Sequence, residues 1–260
     1  MHLPIYLLPI AGLAIGFLIS LLGGGGGIFY VGLLTGLFAI SIDQAVSISL
    51  ATIIPTTLAA SISHYRAGNI QPKIGFLLVA GGIIGVTIGS YFVTIIPIKV
   101  LKITFGIFLL VMGFKMMFNG KKTTKNTESK DFEATSSSTP HLQIIKGLGF
   151  GLLGGLMSGM LGVSGTPPII AGLYSLGLSS FNVVGTSVMV LFFIALTGVI
   201  THSAFGTMNW FIVFLLASGT ITGAILGPFV GRRINHKTLD KFYGPFFVIF
   251  IFLMALTMFF

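Results

Sequence analysis

Between Lys146 and Arg232 the chain runs for 85 residues without one Lys, Arg, Asp or Glu. About 20 apolar residues make one helical crossing of a bilayer, so residues 147–231 have to cross several times. The other half is nearly as bare, its first Lys, Arg, Asp or Glu being Asp43. Charged residues make up 7% of the chain, against about 25% in soluble domains. That is too little polar surface to coat a water-soluble globule. The alternating segments of about ten residues that mark a transmembrane barrel are missing. The expected class is an all-α polytopic membrane protein.

Apolar segments lie at about 4–22, 28–40, 45–63, 74–96 and 100–118, and again at about 142–161, 167–178, 183–202, 210–230 and 242–260. Between the two sets runs NGKKTTKNTESKDFEATSSSTPH, 119–141, too polar to bury. The N-terminus lacks a basic leader region and reads as a first span, not a cleaved signal peptide. The chain has no cysteine, which excludes disulfides and thiol chemistry. Its histidines lack metal-ligand spacing, and neither a metal nor another cofactor is expected. The net charge of +9 sits in loops, as on cytoplasmic loops, and does not call for a nucleic-acid partner.

The two sets are copies. At an offset of 138, Gly81, Gly85 and Gly89 fall on Gly219, Gly223 and Gly227, while His64 falls on His202, Gly68 on Gly206 and Ser49 on Ser187. One further residue of offset brings Gly23 onto Gly162 and Gly26 onto Gly165. The organisation expected is a first repeat at 1–118, a linker at 119–141 and a second repeat at 142–260. Each repeat holds four to five membrane segments, eight to ten in total, and paired halves are typical of secondary transporters. The Gly-xxx-Gly-xxx-Gly rows clear one helix face for a neighbouring backbone, and are expected to pack spans within the fold. If the short segments 28–40 and 167–178 count as crossings, all but Lys99 and Lys102 of the fourteen Lys and Arg fall on one side. The positive-inside rule then favours inverted halves, with the linker and the 231–241 loop cytoplasmic.

Each half carries a break where a span should be continuous. The first is Gly23, Gly24, Gly25, Gly26 and Gly27; the second contains Gly162, Ser164, Gly165, Thr166 and Pro167. Glycine costs a helix about 1 kcal/mol relative to alanine, and proline fits only a first turn. A helix therefore stops and a new one starts. A fresh start leaves unpaired N–H groups at the positive end of the helix dipole. Two such ends near the midplane form a donor-rich pocket suited to a small anion. The alternative is that the glycines only permit close packing. Ser49, Thr186 and Ser187 add hydroxyls, unless they bond their own helix. His64 and His202 end equivalent spans and are candidates for proton coupling or gating. Asp43 reads most simply as a helix N-cap. Gly162-Val163-Ser164-Gly165 also matches the GxSG of intramembrane serine proteases, with His202 following. The first copy keeps His64 but has Gly25 in place of the serine, which counts against that reading.

As a set these residues resemble the TauE/SafE sulfite exporter family, also called the four-toluene sulfonate uptake permeases. The likeness lies in Gly23–Gly27, Ala45-Val46-Ser47-Ile48-Ser49 and His64 through Asn69, then Gly162–Thr166, Val184-Gly185-Thr186-Ser187 and His202 through Gly206. The resemblance implies a non-enzymatic plasma-membrane transporter of sulfite, a sulfonate or a related sulfur oxyanion. A proton or cation is a candidate coupling partner, and one half is expected to rock on the other. A passive anion channel is the main alternative, and a non-transporting membrane factor a further one. The protease alternative has a direct test. Ser164→Ala abolishes cleavage by a serine protease, whereas anion flux into liposomes is expected to persist at least in part.

Overall fold

The computed structural model describes residues 4–22, 27–119, 140–206 and 208–231, with 252, 253 and 256 beside them. All regular structure among them is helical. After a 3-10 turn at Ile5–Leu7 come α1 (Leu8–Leu22), α2 (Gly27–Gly36), α3 (Ile42–Arg66), α4 (Pro72–Ile95) and α5 (Ile98–Asn119). Then follow α6 (Pro140–Leu161), α7 (Thr166–Ser175), α8 (Ser180–Ala204) and α9 (Trp210–Gly231). Four of these, α3, α4, α6 and α8, are long and apolar enough to cross a membrane. Of the apolar segment at 242–260, all but three residues lie outside the described set, as does the 231–241 loop beyond Gly231.

Helix ends follow local chemistry. α3 and α8 both stop one residue before a glycine turn, at Gly68 and Gly206. Asn69 N–H bonds back to His64 O at 3.0 Å. Pro72 opens α4, where no intrahelical N–H is required.

Two glycine seams hold the bundle. Gly81, Gly85 and Gly89 of α4 lie on the backbone of Leu148, Leu152 and Leu156 of α6, while Gly151, Gly155 and Gly159 face Leu78, Gly82 and Val86 in return. Gly12 and Gly16 of α1 meet Leu216 and Thr220 of α9, and Gly219 and Gly223 meet Pro9 and Leu13. In both seams the residue numbers rise together, so the partners run parallel. Apolar side chains gain little by leaving lipid for protein, so this backbone approach supplies dispersion contacts that bulkier residues would block.

Helix directions fix how the chain crosses. α8 runs parallel to α4, since Gly75 meets Met189, Gly82 meets Ile194 and Val86 meets Gly198. α6 and α8 thus point the same way, and residues 162–179 between them must return the chain to its starting side. The ten-residue α7 covers about 15 Å of that return at 1.5 Å per residue. This is half of an apolar layer about 30 Å thick. Leu50 of α3 and Val86 of α4 both reach Gly198, and a five-residue turn joins Arg66 to Pro72. α3 is therefore antiparallel to both α4 and α8. The rings of Phe114 and Phe252, which the 138 offset pairs, meet edge to face at 5.2 Å.

The outer surface is apolar: Ile84, Tyr91, Ile200, Phe211 and Phe214 are all exposed. Such a belt is a liability in water and suits lipid. The seams yield a paired test. Gly85→Ala drives a methyl into the Leu152 carbonyl and is expected to cost about 1–3 kcal/mol. Gly149→Ala, with nothing within 4 Å of the added carbon, should gain up to ~1 kcal/mol from helix propensity. Thermal unfolding of the purified protein in detergent checks both signs.

Candidate functional site

The break between α6 and α7 is built on two glycines in the left-handed region, Gly162 at φ +64° and Gly165 at φ +58°. A side chain at either would be strained and blocked. At Gly162 it would strike Val31 and the Val46 backbone, and at Gly165 the Gly154 backbone. α2 begins against this corner, for a carbon added at Gly27 would lie 2.8 Å from Ser164 N and 3.0 Å from Val163 Cα. The start of one short helix and the break before the other are thus in contact. Gly23, Gly24, Gly25 and Gly26 lie outside the described residues.

Ser49 ties the two corners. Its hydroxyl lies 2.9 Å from Gly162 O and 3.3 Å from Gly27 O, and the residue is fully buried. A serine has one hydrogen to donate, and here it serves main-chain carbonyls. Ser49 is a clamp on the corner, not an open donor for a ligand. The nearby hydroxyls of Thr52 and Thr57 bond their own helix, to Ile48 O at 2.8 Å and Ile53 O at 3.0 Å.

The donors that remain cluster at the start of α7. Gly162 N–H bonds Ser158 O at 2.9 Å, Gly165 N–H bonds Val163 O, and Ile169 N–H reaches Gly165 O at 3.4 Å. Pro167 and Pro168 have no N–H. The amides of Val163 and Thr166 have no backbone acceptor among the described residues. Beside them the hydroxyls of Ser164 and Thr166 stand 3.0 Å apart. Ser158 completes the group. It is fully buried, and its Oγ has no hydrogen-bond partner among the described residues. It lies four residues after Gly154, hence on the same face of α6, and Gly154 touches Ile169 and Gly165. A buried hydroxyl without a partner marks a place for water or a ligand.

Other expected residues stand elsewhere. Gly198 meets Leu50 beside Ser49, so Ser187 lies eleven residues, about 16 Å, further along α8. Thr186 Oγ1 accepts from Gln71 N–H at 3.0 Å, and Ser187 donates to Val184 O at 2.9 Å. Neither joins the Ser49 corner. The two histidines part company as well. His64 is half-buried at the end of α3. His202 is fully buried, its Nε2 3.2 Å from the carbonyl of Gly159, the neighbour of Ser158.

Sequence alone does not single out Ser158, and it marks Asp43 only as a helix N-cap. Ser158 precedes the break by one turn, where only its place in an uncharged stretch could have drawn notice. Asp43, expected as an N-cap, sits inside the first turn of α3, and the cap position belongs to Ser41. Its Oδ1 is buried without a partner, and its carboxylate lies within electrostatic reach of His202. It is the only Asp or Glu among the described residues. No group of three metal-ligating side chains forms among the described residues.

The clamp is open to test. Ser49→Ala strands two buried carbonyls and is expected to cost about 1–3 kcal/mol, read as a lower thermal midpoint in detergent.

Similarity to known proteins agrees with this architecture. The family model described as "Sulfite exporter TauE/SafE" matches residues 8–258. "Probable membrane transporter protein YdhB" of Bacillus subtilis (strain 168) is 31% identical over 217 residues, covering 82% of this chain and 84% of the relative. "Probable membrane transporter protein YunE" of the same organism is 26% identical over 247 residues, 90% of each chain. No solved structure matches. A match across nearly the whole chain, with relatives of similar length, places it: the chain belongs to the TauE/SafE sulfite exporter family of membrane transporters.

Proposed function

We propose that the protein is a secondary transporter of a small sulfur oxyanion, sulfite or a sulfonate, bound at the start of α7. The observation that carries this reading is the buried, partnerless Ser158 hydroxyl one turn before a corner whose Val163 and Thr166 amides have no backbone acceptor among the described residues. In hydrocarbon such groups cost several kcal/mol each unless something bonds them. An oxyanion offers several acceptor oxygens and would satisfy them together. Charge-assisted bonds, each worth about 1.5–3 kcal/mol, would offset part of its desolvation. A lysine is not needed there, and the described lysines lie toward helix ends.

The halves are read as inverted repeats. The antiparallel run of α3 and α8, which the 138 offset pairs, supports this, because an axis in the membrane plane reverses equivalent helices. So does the contact of Phe114 with its counterpart Phe252. With α4 and α6 parallel, Lys73 and Lys146 share one end with Arg66, and Lys99 and Lys102 share the other. The Lys146 end, which leads into the linker, is assigned to the cytoplasm of a plasma-membrane protein.

Asp43 and His202 are the coupling pair in this reading. A proton taken up by His202 would place positive charge one residue from Ser158, balanced by the Asp43 carboxylate. Anion and proton would then bind in support of each other.

Reconstitution decides between this reading and a passive channel. Sulfite, sulfonates, thiosulfate and small carboxylates are offered to liposomes with and without a pH gradient. Uptake of a sulfur oxyanion against its own gradient, driven by the pH gradient, is the expected result. Ser158→Ala should raise KM at least tenfold. Asp43→Asn should abolish pH-driven accumulation while leaving anion exchange. Flux that only follows the anion's own gradient would mean a channel.

A further inference from the structure

A cavity of about 320 Å³ opens between the end of α3, the start of α4 and α8. That volume is at the low end of ligand pockets, about 300–1,000 Å³. Its deeper walls are hydrocarbon: Leu58 and Ile62 of α3, Phe76 of α4, Met189 and Phe193 of α8. Phe193 stands 5.8 Å from Phe76 and 5.3 Å from Phe192, ring centre to ring centre, forming an aromatic wall. Leu58, Ile62 and Phe76 are 41%, 46% and 54% exposed on the outer surface of the bundle, where acyl chains lie.

The polar groups gather at the helix end, where Tyr65 and Arg66 form the rim. Among the described residues no carboxylate is at hand for Arg66. Asp43, the only one among the described residues, begins the same helix, roughly 34 Å away. A guanidinium fork matches phosphate oxygens in pairs. The 138 offset places Ser203 and Ala204 where Tyr65 and Arg66 stand, so the charged rim is not part of what the repeated packing requires.

The geometry points to a binding site for one anionic phospholipid, its phosphodiester on Arg66 and one acyl chain against the Phe76–Phe193 wall. A hydrophilic oxyanion finds only the Ser61 hydroxyl among otherwise apolar walls, whereas an amphiphile matches both the charged rim and the apolar depth. The site lies on the Lys73 and Lys146 end, where anionic lipid of the cytoplasmic leaflet would be drawn.

The test uses the full chain in nanodiscs, with Trp210→Phe to remove the only native tryptophan and Phe76→Trp as reporter. Brominated phosphatidylglycerol at one-fifth of the lipid is expected to quench at least threefold more than brominated phosphatidylcholine at the same fraction. Arg66→Gln should erase the preference. Lys146→Gln, which removes a charge at the same end outside the cavity, should leave it. Glycerol 1-phosphate, the headgroup without chains, should not relieve the quenching. Equal quenching by the two lipids, a preference that survives Arg66→Gln, or relief by glycerol 1-phosphate would each overturn the assignment. Phe193→Trp is a second reporter should the first variant fold poorly.

Discussion

A bilayer has no water with which to satisfy a main-chain amide, and the corner at Gly162–Thr166 is shaped by that fact. Elsewhere the described backbone is nearly all helical and satisfies itself. At the corner, Ser49 closes two carbonyls and Val163 O closes Gly165 N–H. The prolines remove two donors that would otherwise need partners. What is left is a short run of donors beside a buried hydroxyl. The carbonyls of Gly27, Gly162 and Val163 have donors while the amides of Val163 and Thr166 have no backbone acceptor among the described residues, and the proposed anion site rests on this imbalance.

Around that corner the fold is cross-clasped. α4 lies on α6, and α9 on α1, so each sequence half holds a helix of the other through glycine seams. Parting the halves as rigid blocks would tear both seams, where backbone rests on backbone. The elements less tightly held are the short α2 and α7, and these also carry the corner. In the proposed transport cycle, motion is easier to place among them than between residues 1–118 and 142–260, the rocking that the duplication alone suggests.

Much of this was readable from residue order. The uncharged run after Lys146 required several crossings, and the offset glycines predicted close helix approach. What order could not give was partnership. Gly85 and Gly223 carry no mark of which helix they will meet, because a small residue admits any backbone. Ser49 was expected to serve a ligand and instead serves two carbonyls, since its hydrogen goes to the nearest strong acceptors. Ser187, which the 138 offset pairs with Ser49, bonds within its own helix. A hydroxyl's role depends on what stands within 3 Å of it. Asp43 looked like a cap because only its neighbours along the chain could be seen.

The α1–α9 seam has a consequence for biogenesis. α1 is made well before its partner, which begins only at Trp210. At about 5–20 residues per second, synthesis leaves the small-residue face of α1 without its mate for roughly 10–40 s. α1 must therefore wait in the translocon or the lipid, bare along Gly12 and Gly16, until α9 has emerged.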